Sequence, residues 1–320
     1  MIISILLLLI GFGLLIKGAD FLVLGSSSLA RRFNIPELII GLTIVAFGTS
    51  APELVVSIVA SLKGLNDITF GNIIGSNIFN LLFILGISAL FLPIKVQHST
   101  IVKEVPYSVI AALVLFILAN DHLYSENRPN RIGTVDGLIM LSFFLFFLFY
   151  IFRNMKNDNQ EIIIDPKAYS LWKTLLLIIL GLTGLVIGGR MSVNNAVDIA
   201  KHLNISERII GLTIVAIGTS LPELATSAVA AYRKNSDIAV GNVVGSNIFN
   251  IFFVLPVSAL IHPLPYQLTF NTDITVLIAG TVILLFFTYS GKKAVIERWE
   301  GLLLALGFIG YTLSLILGGR

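Results

Sequence analysis

Two stretches of this chain are near copies of each other. Residues 41–80 read GLTIVAFGTSAPELVVSIVASLKGLNDITFGNIIGSNIFN, and residues 211–250 read GLTIVAIGTSLPELATSAVAAYRKNSDIAVGNVVGSNIFN. The two stretches align without a gap at an offset of 170 and are identical at 25 of 40 positions. Self-similarity of this length indicates an internal duplication. The chain is therefore predicted to contain two copies of one structural unit.

The chain is too apolar for a water-soluble fold. Of its 320 residues 56% are hydrophobic and 12% charged, whereas soluble domains carry about 25% charged residues. Apolar stretches of roughly 20 residues, enough to cross the hydrocarbon core of a bilayer, recur along the whole length. We predict an all-α integral membrane protein with ten transmembrane helices, at about 2–25, 36–62, 68–92, 104–120, 134–153, 171–199, 206–231, 238–261, 270–290 and 300–318.

The duplication divides the ten predicted helices into two groups of five. The first repeat is predicted at 1–156, a short cytoplasmic linker at 157–170 and the second repeat at 171–320. Because five is odd, the second copy enters the membrane in the opposite orientation. Inverted-topology repeats are typical of secondary transporters, whose binding site lies near the bilayer midplane between the repeats.

The basic residues predict how the chain is oriented in the cell membrane. Of the 21 Lys and Arg, six fall on the side of the N-terminus, thirteen on the other side, and Lys17 and Arg190 within predicted spans. Because positive loops stay cytoplasmic, both termini are predicted to be extracytoplasmic. Membrane lipid is the expected partner, nucleic acid is not, and a monomer is compatible with these features.

The first half of each motif places polar residues on one face of a helix. Their spacing of i, i+3, i+4 and i+7 puts them on the same side. A carboxylate within a span is costly and marks a functional pathway. These residues are Ala46, Thr49, Ser50 and Glu53, repeated as Ala216, Thr219, Ser220 and Glu223.

A proline precedes each of these glutamates. Pro52 and Pro222 lack the N–H that would bond the carbonyl of Gly48 and Gly218, and the proline ring clashes with that turn. Each helix is therefore predicted to break or kink there. The break is expected to free backbone carbonyls around residues 46–49 and 216–219 as further oxygen ligands.

The second half of each motif supplies amides, hydroxyls and glycines. One face carries residues at i, i+4 and i+8, and the G-x-x-x-G pattern lets two helix backbones approach closely. Asn77 and Asn247 project from another face, where interhelical hydrogen bonding and a direct role are both open. The residues of the shared face are Asn72, Ser76 and Asn80, with Asn242, Ser246 and Asn250.

These residue types favour a hard cation as substrate. Carboxylate, amide, hydroxyl and carbonyl oxygens suit Ca²⁺, Mg²⁺ or Na⁺, and Ca²⁺ accepts roughly six to eight of them. The chain has no cysteine, and its four histidines lie near span ends or in loops, which argues against a Zn²⁺ or copper site. No zinc-protease motif or paired nucleophile and base is present, so neither an enzyme nor a cofactor is expected.

The chain resembles the sodium/calcium exchanger family of the cation/Ca²⁺ exchanger superfamily. The resemblance lies in four motifs, GTSAPE (48–53), GTSLPE (218–223), GNIIGSNIFN (71–80) and GNVVGSNIFN (241–250). The resemblance implies antiport of Na⁺ against Ca²⁺, with Glu53 and Glu223 as the central carboxylates. It also implies that the ligand set is completed by Thr49, Ser50, Ser76, Asn80, Thr219, Ser220, Ser246 and Asn250 and by the carbonyls of Ala46 and Ala216.

Two other transport modes remain open on the sequence. A Ca²⁺/H⁺ exchanger could use the same fold, although related proton exchangers tend to carry a glutamate in the second half of the motif, where this chain has none. A cation channel fits less well, because two broken helices in inverted copies suit one occluded site better than a continuous pore.

Overall fold

The protein is described by a computed structural model that covers residues 2–97, 100–123, 129–154, 169–202, 216–289 and 294–317. Its principal helices are α1 (Ile2–Phe33), α2 (Glu37–Thr49), α3 (Ala51–Leu62), α4 (Asn66–Phe91), α5 (Thr100–Ala119), α6 (Thr134–Asn154), α7 (Leu171–His202), α8 (Ala216–Thr219), α9 (Leu221–Tyr232), α10 (Ser236–Ile261), α11 (Phe270–Tyr289) and α12 (Arg298–Leu317).

Two very short antiparallel ribbons join the halves of the sequence at the ends of the helices. Strand β1 (Ile94–Lys95) pairs with β4 (Val295–Ile296), and β2 (Arg131–Ile132) pairs with β3 (Leu264–Pro265). Each ribbon thus combines a segment from before the predicted linker with one from after it.

Seven helices in the described ranges are long and apolar enough to cross a membrane, and an eighth span results if the bent pair α2 and α3 counts as one. The protein is thus a multi-pass, all-helical membrane protein. The predicted count of ten is not reached. The predicted span at 206–231 begins outside the described residues, and α12, which corresponds to the predicted span at 300–318, is not among the seven.

Helices α4 and α10 form the centre of the bundle. In the apolar stretch of 18 residues that could cross the membrane, 78% of the residues of each of these helices are buried, against 28% in α1, α6 and α7. The central helices carry the second half of each motif, and the peripheral helices α1, α6 and α7 contain fewer buried polar residues. The polar residues of the motif are therefore enclosed by protein, where a bilayer tolerates them.

Glycines allow α1 and α7 to pack with their backbones in contact. A Cβ atom added at Gly11, Gly18 or Gly25 would lie within 3.0 Å of the backbone nitrogen of Ser192, Leu185 or Ile178 respectively. The partner number falls as the glycine number rises, so the two helices run antiparallel. Small residues at such contacts are the usual means by which membrane helices approach closely.

The glycines of the second motif copy serve the same purpose between α10 and α2. A Cβ atom at Gly241 would lie 2.8 Å from the carbonyl oxygen of Leu38, and one at Gly245 would lie 2.8 Å from that of Leu42. The expected close approach is thus confirmed for this copy. A Cβ atom added at Gly71 or Gly75 would have no neighbour within 4 Å among the described residues, so the predicted close approach is not seen there for the first copy.

The glycine contacts predict a position-specific loss of stability. Gly18→Ala places a methyl group against the backbone of α7 and should cost about 1–3 kcal/mol of stability. Gly13→Ala in the same helix is the control, because no described residue lies within 4 Å of the added methyl group. Thermal unfolding of the two variants in detergent should show a lower midpoint for Gly18→Ala only. Equal midpoints would contradict the described helix contact.

Candidate cation site

Both motif copies contain the predicted break in the helix. The break falls at Ser50 between α2 and α3, which are bent by 45° relative to each other, and at Ser220 between α8 and α9. The following proline occupies the first turn of the new helix, where its missing N–H leaves no hydrogen bond unmade. The prolines therefore begin a second half-helix, and each serine lies at the junction.

The break does not release every carbonyl that was expected to be free. The carbonyl oxygen of Ala46 accepts a hydrogen bond from the Ser50 amide at 3.0 Å and lies 3.3 Å from Thr49 Oγ1. In the second copy the Ser220 amide instead bonds to the carbonyl of Ile217 at 3.1 Å. The carbonyl of Ala46 is therefore not free in this conformation, because the turn before the break stays helical, but its second lone pair can still accept a cation.

The two glutamates lie fully buried and receive hydrogen bonds from the opposite copy of the motif. Ser220 Oγ donates to Glu53 Oε1 at 2.8 Å, and Ser50 Oγ donates to Glu223 Oε1 at 3.0 Å. Ser76 Oγ lies 2.9 Å from Ser220 Oγ and 3.5 Å from Glu53 Oε1. The site is thus built jointly, since each half supplies the hydroxyl that the carboxylate of the other half needs.

A second set of hydrogen bonds, of which one in each copy crosses to the other copy, holds an asparagine beside each glutamate. Thr219 Oγ1 donates to Asn72 Oδ1 at 3.1 Å, and the amide nitrogen of Asn72 donates to Ser57 Oγ at 3.0 Å and to the carbonyl of Glu53 at 3.3 Å. The same three contacts recur at 3.0, 2.9 and 3.3 Å for Thr49, Asn242, Ser227 and Glu223.

Ser57 and Ser227, which were not predicted from the sequence, hold the asparagines beside the site. Both serines are fully buried and each fixes the amide of an asparagine. The sequence does carry a sign of this role, because serine occupies the same position in both copies, one helical turn after each glutamate.

Several buried oxygens in the site have no hydrogen-bond donor among the described residues. They include Ser246 Oγ and four carboxylate and amide oxygens, Oε2 of Glu53 and of Glu223 and Oδ1 of Asn80 and of Asn250. Burying a polar atom without a partner costs roughly 1–3 kcal/mol, and more for a charged one. Four oxygens that can only accept, two of them on carboxylates, are chemically suited to a cation.

The described residues of the site are of the types that hard cations prefer, with carboxylate, hydroxyl and amide groups. Within the described ranges no group of three or more His, Cys, Asp or Glu side chains could hold a metal ion. The two carboxylates are surrounded by hydroxyl and amide groups, and Ser246 is buried near them in the same helix as Asn242. A hard cation bound by a few charged and many neutral oxygens fits this composition.

Comparison with known proteins agrees with this chemistry. The family model described as sodium/calcium exchanger protein matches residues 3–153 and 173–317. The putative antiporter CaxA of Alkalimonas amylolytica is 38% identical over 97% of this chain and 98% of its own length. The sodium/calcium exchanger MaX1 of Methanosarcina acetivorans is 33% identical over 98% of both.

A solved structure shares the fold over nearly the whole chain. The sodium-calcium exchanger NCX_Mj, soaked with 2.5 mM Na⁺ and 0.1 mM Ca²⁺, matches with a TM-score of 0.81 and 34% identity, covering 98% of this chain and 99% of that one. Together with the family match to both halves, this means that the chain belongs to the sodium/calcium exchanger family.

Proposed function

We propose that the protein is a secondary antiporter that exchanges Na⁺ for Ca²⁺ by alternating access. The observation that carries the proposal is the set of four buried, donor-free oxygens on Glu53, Glu223, Asn80 and Asn250. Each half of the chain contributes two of them. Ca²⁺ and Na⁺ are thus the transported ions, and the relatives' printed names point to the same pair.

The proposed site binds either ion with the same side chains. Its two carboxylate charges balance one Ca²⁺ or two Na⁺, so the two cargoes compete for one set of negative charges. The serine hydroxyls now donate to the carboxylates, but they can rotate and offer a lone pair to an incoming cation. The ligands that we propose are Ala46, Thr49, Ser50, Glu53, Ser76, Asn80, Ala216, Thr219, Ser220, Glu223, Ser246 and Asn250.

The proposed architecture is ten transmembrane helices in two inverted five-helix repeats, 1–156 and 171–320, joined by the linker 157–170. Three features support it: the motif copies align without a gap, the equivalent helices α1 and α7 run antiparallel, and the hydrogen bonds between the copies occur in matched pairs. Alternating access follows if the two repeats exchange conformations around a fixed site.

A transport assay tests the proposal directly. Purified protein in sealed liposomes should take up ⁴⁵Ca²⁺ when a Na⁺ gradient is imposed, and should not respond to a pH gradient without Na⁺. Uptake driven by the pH gradient alone would instead assign the protein to Ca²⁺/H⁺ exchange. Uptake that needs no counter-ion would indicate a channel.

The glutamates should be indispensable for Ca²⁺ transport. Glu53→Gln or Glu223→Gln removes one of two charges from a poorly screened site and should reduce Na⁺-driven ⁴⁵Ca²⁺ uptake by about 100-fold or more. Glu37→Gln is the control: Glu37 begins α2 and faces Arg31 at 3.9 Å near the surface, where an ion pair contributes little. Normal uptake in either site variant would refute the ligand assignment.

Equivalent positions in the two repeats should be labelled from opposite sides of the membrane. Leu62 and Tyr232 are 170 residues apart, and both side chains are exposed, at 67% and 81%. The chain has no cysteine, so Leu62→Cys and Tyr232→Cys each introduce a single thiol. From the distribution of basic residues, an impermeant maleimide should label Leu62→Cys in intact cells and Tyr232→Cys only after permeabilisation. Labelling of both from the same side would refute the inverted topology.

A further inference from the structure

Asn77 and Asn247 form a reciprocal pair where the two motif copies meet. The amide nitrogen of Asn77 donates to the main-chain carbonyl of Asn247 at 3.2 Å, and that of Asn247 donates to the carbonyl of Asn77 at 3.3 Å. Both side chains are buried, with 0% and 1% exposure. These two bonds connect the central helices α4 and α10.

The other end of each amide has a different partner. Asn77 Oδ1 accepts a hydrogen bond from the amide nitrogen of Asn250 at 3.0 Å, and Asn247 Oδ1 accepts one from that of Asn80 at 3.2 Å. Each contact crosses from one copy to the other. The nitrogen ends of Asn80 and Asn250 are thereby engaged, and their oxygen ends are the donor-free atoms of the site.

We propose that Asn77 and Asn247 are positioning residues that hold the amide oxygens of Asn250 and Asn80 toward the bound cation. An amide can be reversed by rotation about its last bond, and reversal of Asn250 would point an NH₂ group at the cation and leave its oxygen against Asn77 Oδ1. The hydrogen bond from Asn250 to Asn77 opposes that reversal. The proposal rests on the proposed function, because it concerns the same cation site.

A purely structural role does not account for this arrangement. Bonds between an amide nitrogen and a main-chain carbonyl would suffice to hold α4 against α10. The Oδ1 contacts also run between α4 and α10, but unlike the first two bonds they hold the amide nitrogens of Asn80 and Asn250 and thereby set the direction of the amide oxygens. Both of these residues lie in π-helical turns, Phe79–Ile84 and Asn250–Val254, a local irregularity that is frequent at functional sites.

The first measurement is Ca²⁺ affinity of the Asn77→Ala variant. Loss of an outer contact to a metal ligand typically weakens metal binding by about 10–100-fold, so equilibrium ⁴⁵Ca²⁺ binding to the purified protein should weaken by about 10-fold, and the KM for Ca²⁺ in liposomes should rise equally. The thermal midpoint is recorded in parallel. A lower midpoint with unchanged Ca²⁺ affinity would identify a purely structural role and overturn the proposal.

A double-mutant cycle tests which asparagine is being oriented. If Asn77 acts through Asn250, then Asn77→Ala should cause no further loss of Ca²⁺ affinity in an Asn250→Ala background. The matched control is Asn80→Ala, the asparagine in the same helix as Asn77, where the two losses should add. Additive losses with Asn250→Ala would overturn the proposal.

The reciprocal cycle keeps the test valid if Asn77→Ala does not fold. There, Asn247→Ala should be non-additive with Asn80→Ala and additive with Asn250→Ala. Ca²⁺ binding by the wild type and by Glu53→Gln distinguishes a failure of the positioning role from a failure of the proposed function. If the wild type binds Ca²⁺ and Glu53→Gln does not, while both cycles are additive, only the positioning role fails. If the wild type binds no Ca²⁺, the proposed function fails.

Discussion

The hydrogen bonds that Ser50 and Ser220 donate to Glu223 and Glu53 are the interaction on which the rest of the site depends. A carboxylate removed from water is strongly destabilising unless donors or a counter-charge replace its hydration. Here the donor comes from the other copy of the motif. Each half therefore depends on the other for the shortest hydrogen bond to its buried glutamate, and the two broken helices meet at the centre of the bundle.

This requirement explains how the surrounding helices are organised. The second half of the motif has to pack closely on the half-helices that lead to the glutamates, and Gly241 and Gly245 of α10 allow that approach to α2. The more peripheral helices α1, α6 and α7 contain fewer buried polar side chains than α4 and α10. The division into a polar centre and an apolar periphery thus follows from two buried charges.

Much of this organisation could be predicted from the sequence because it is local. The duplication, the buried carboxylates and the break before each proline depend on residue identity and spacing within one motif. The partners of Glu53 could not be predicted, since Ser50 and Ser220 are the same residue in the two copies and only packing decides which is near. The hydrogen bond from Ser50 to the carbonyl of Ala46 was missed for a related reason, because the exact residue at which a helix ends depends on its surroundings.

The contact between Asn77 and Asn247 has a consequence for how such a chain can arise. Equivalent residues contact each other reciprocally, as in an isologous dimer interface. The motif is therefore complementary to itself, and in the proposed topology it is complementary to a copy inserted in the opposite direction. A single unfused copy would complete the site only by being made in both membrane orientations. Fusion of two copies into one chain supplies both orientations in equal amounts and leaves each half free to acquire its own distribution of loop charges.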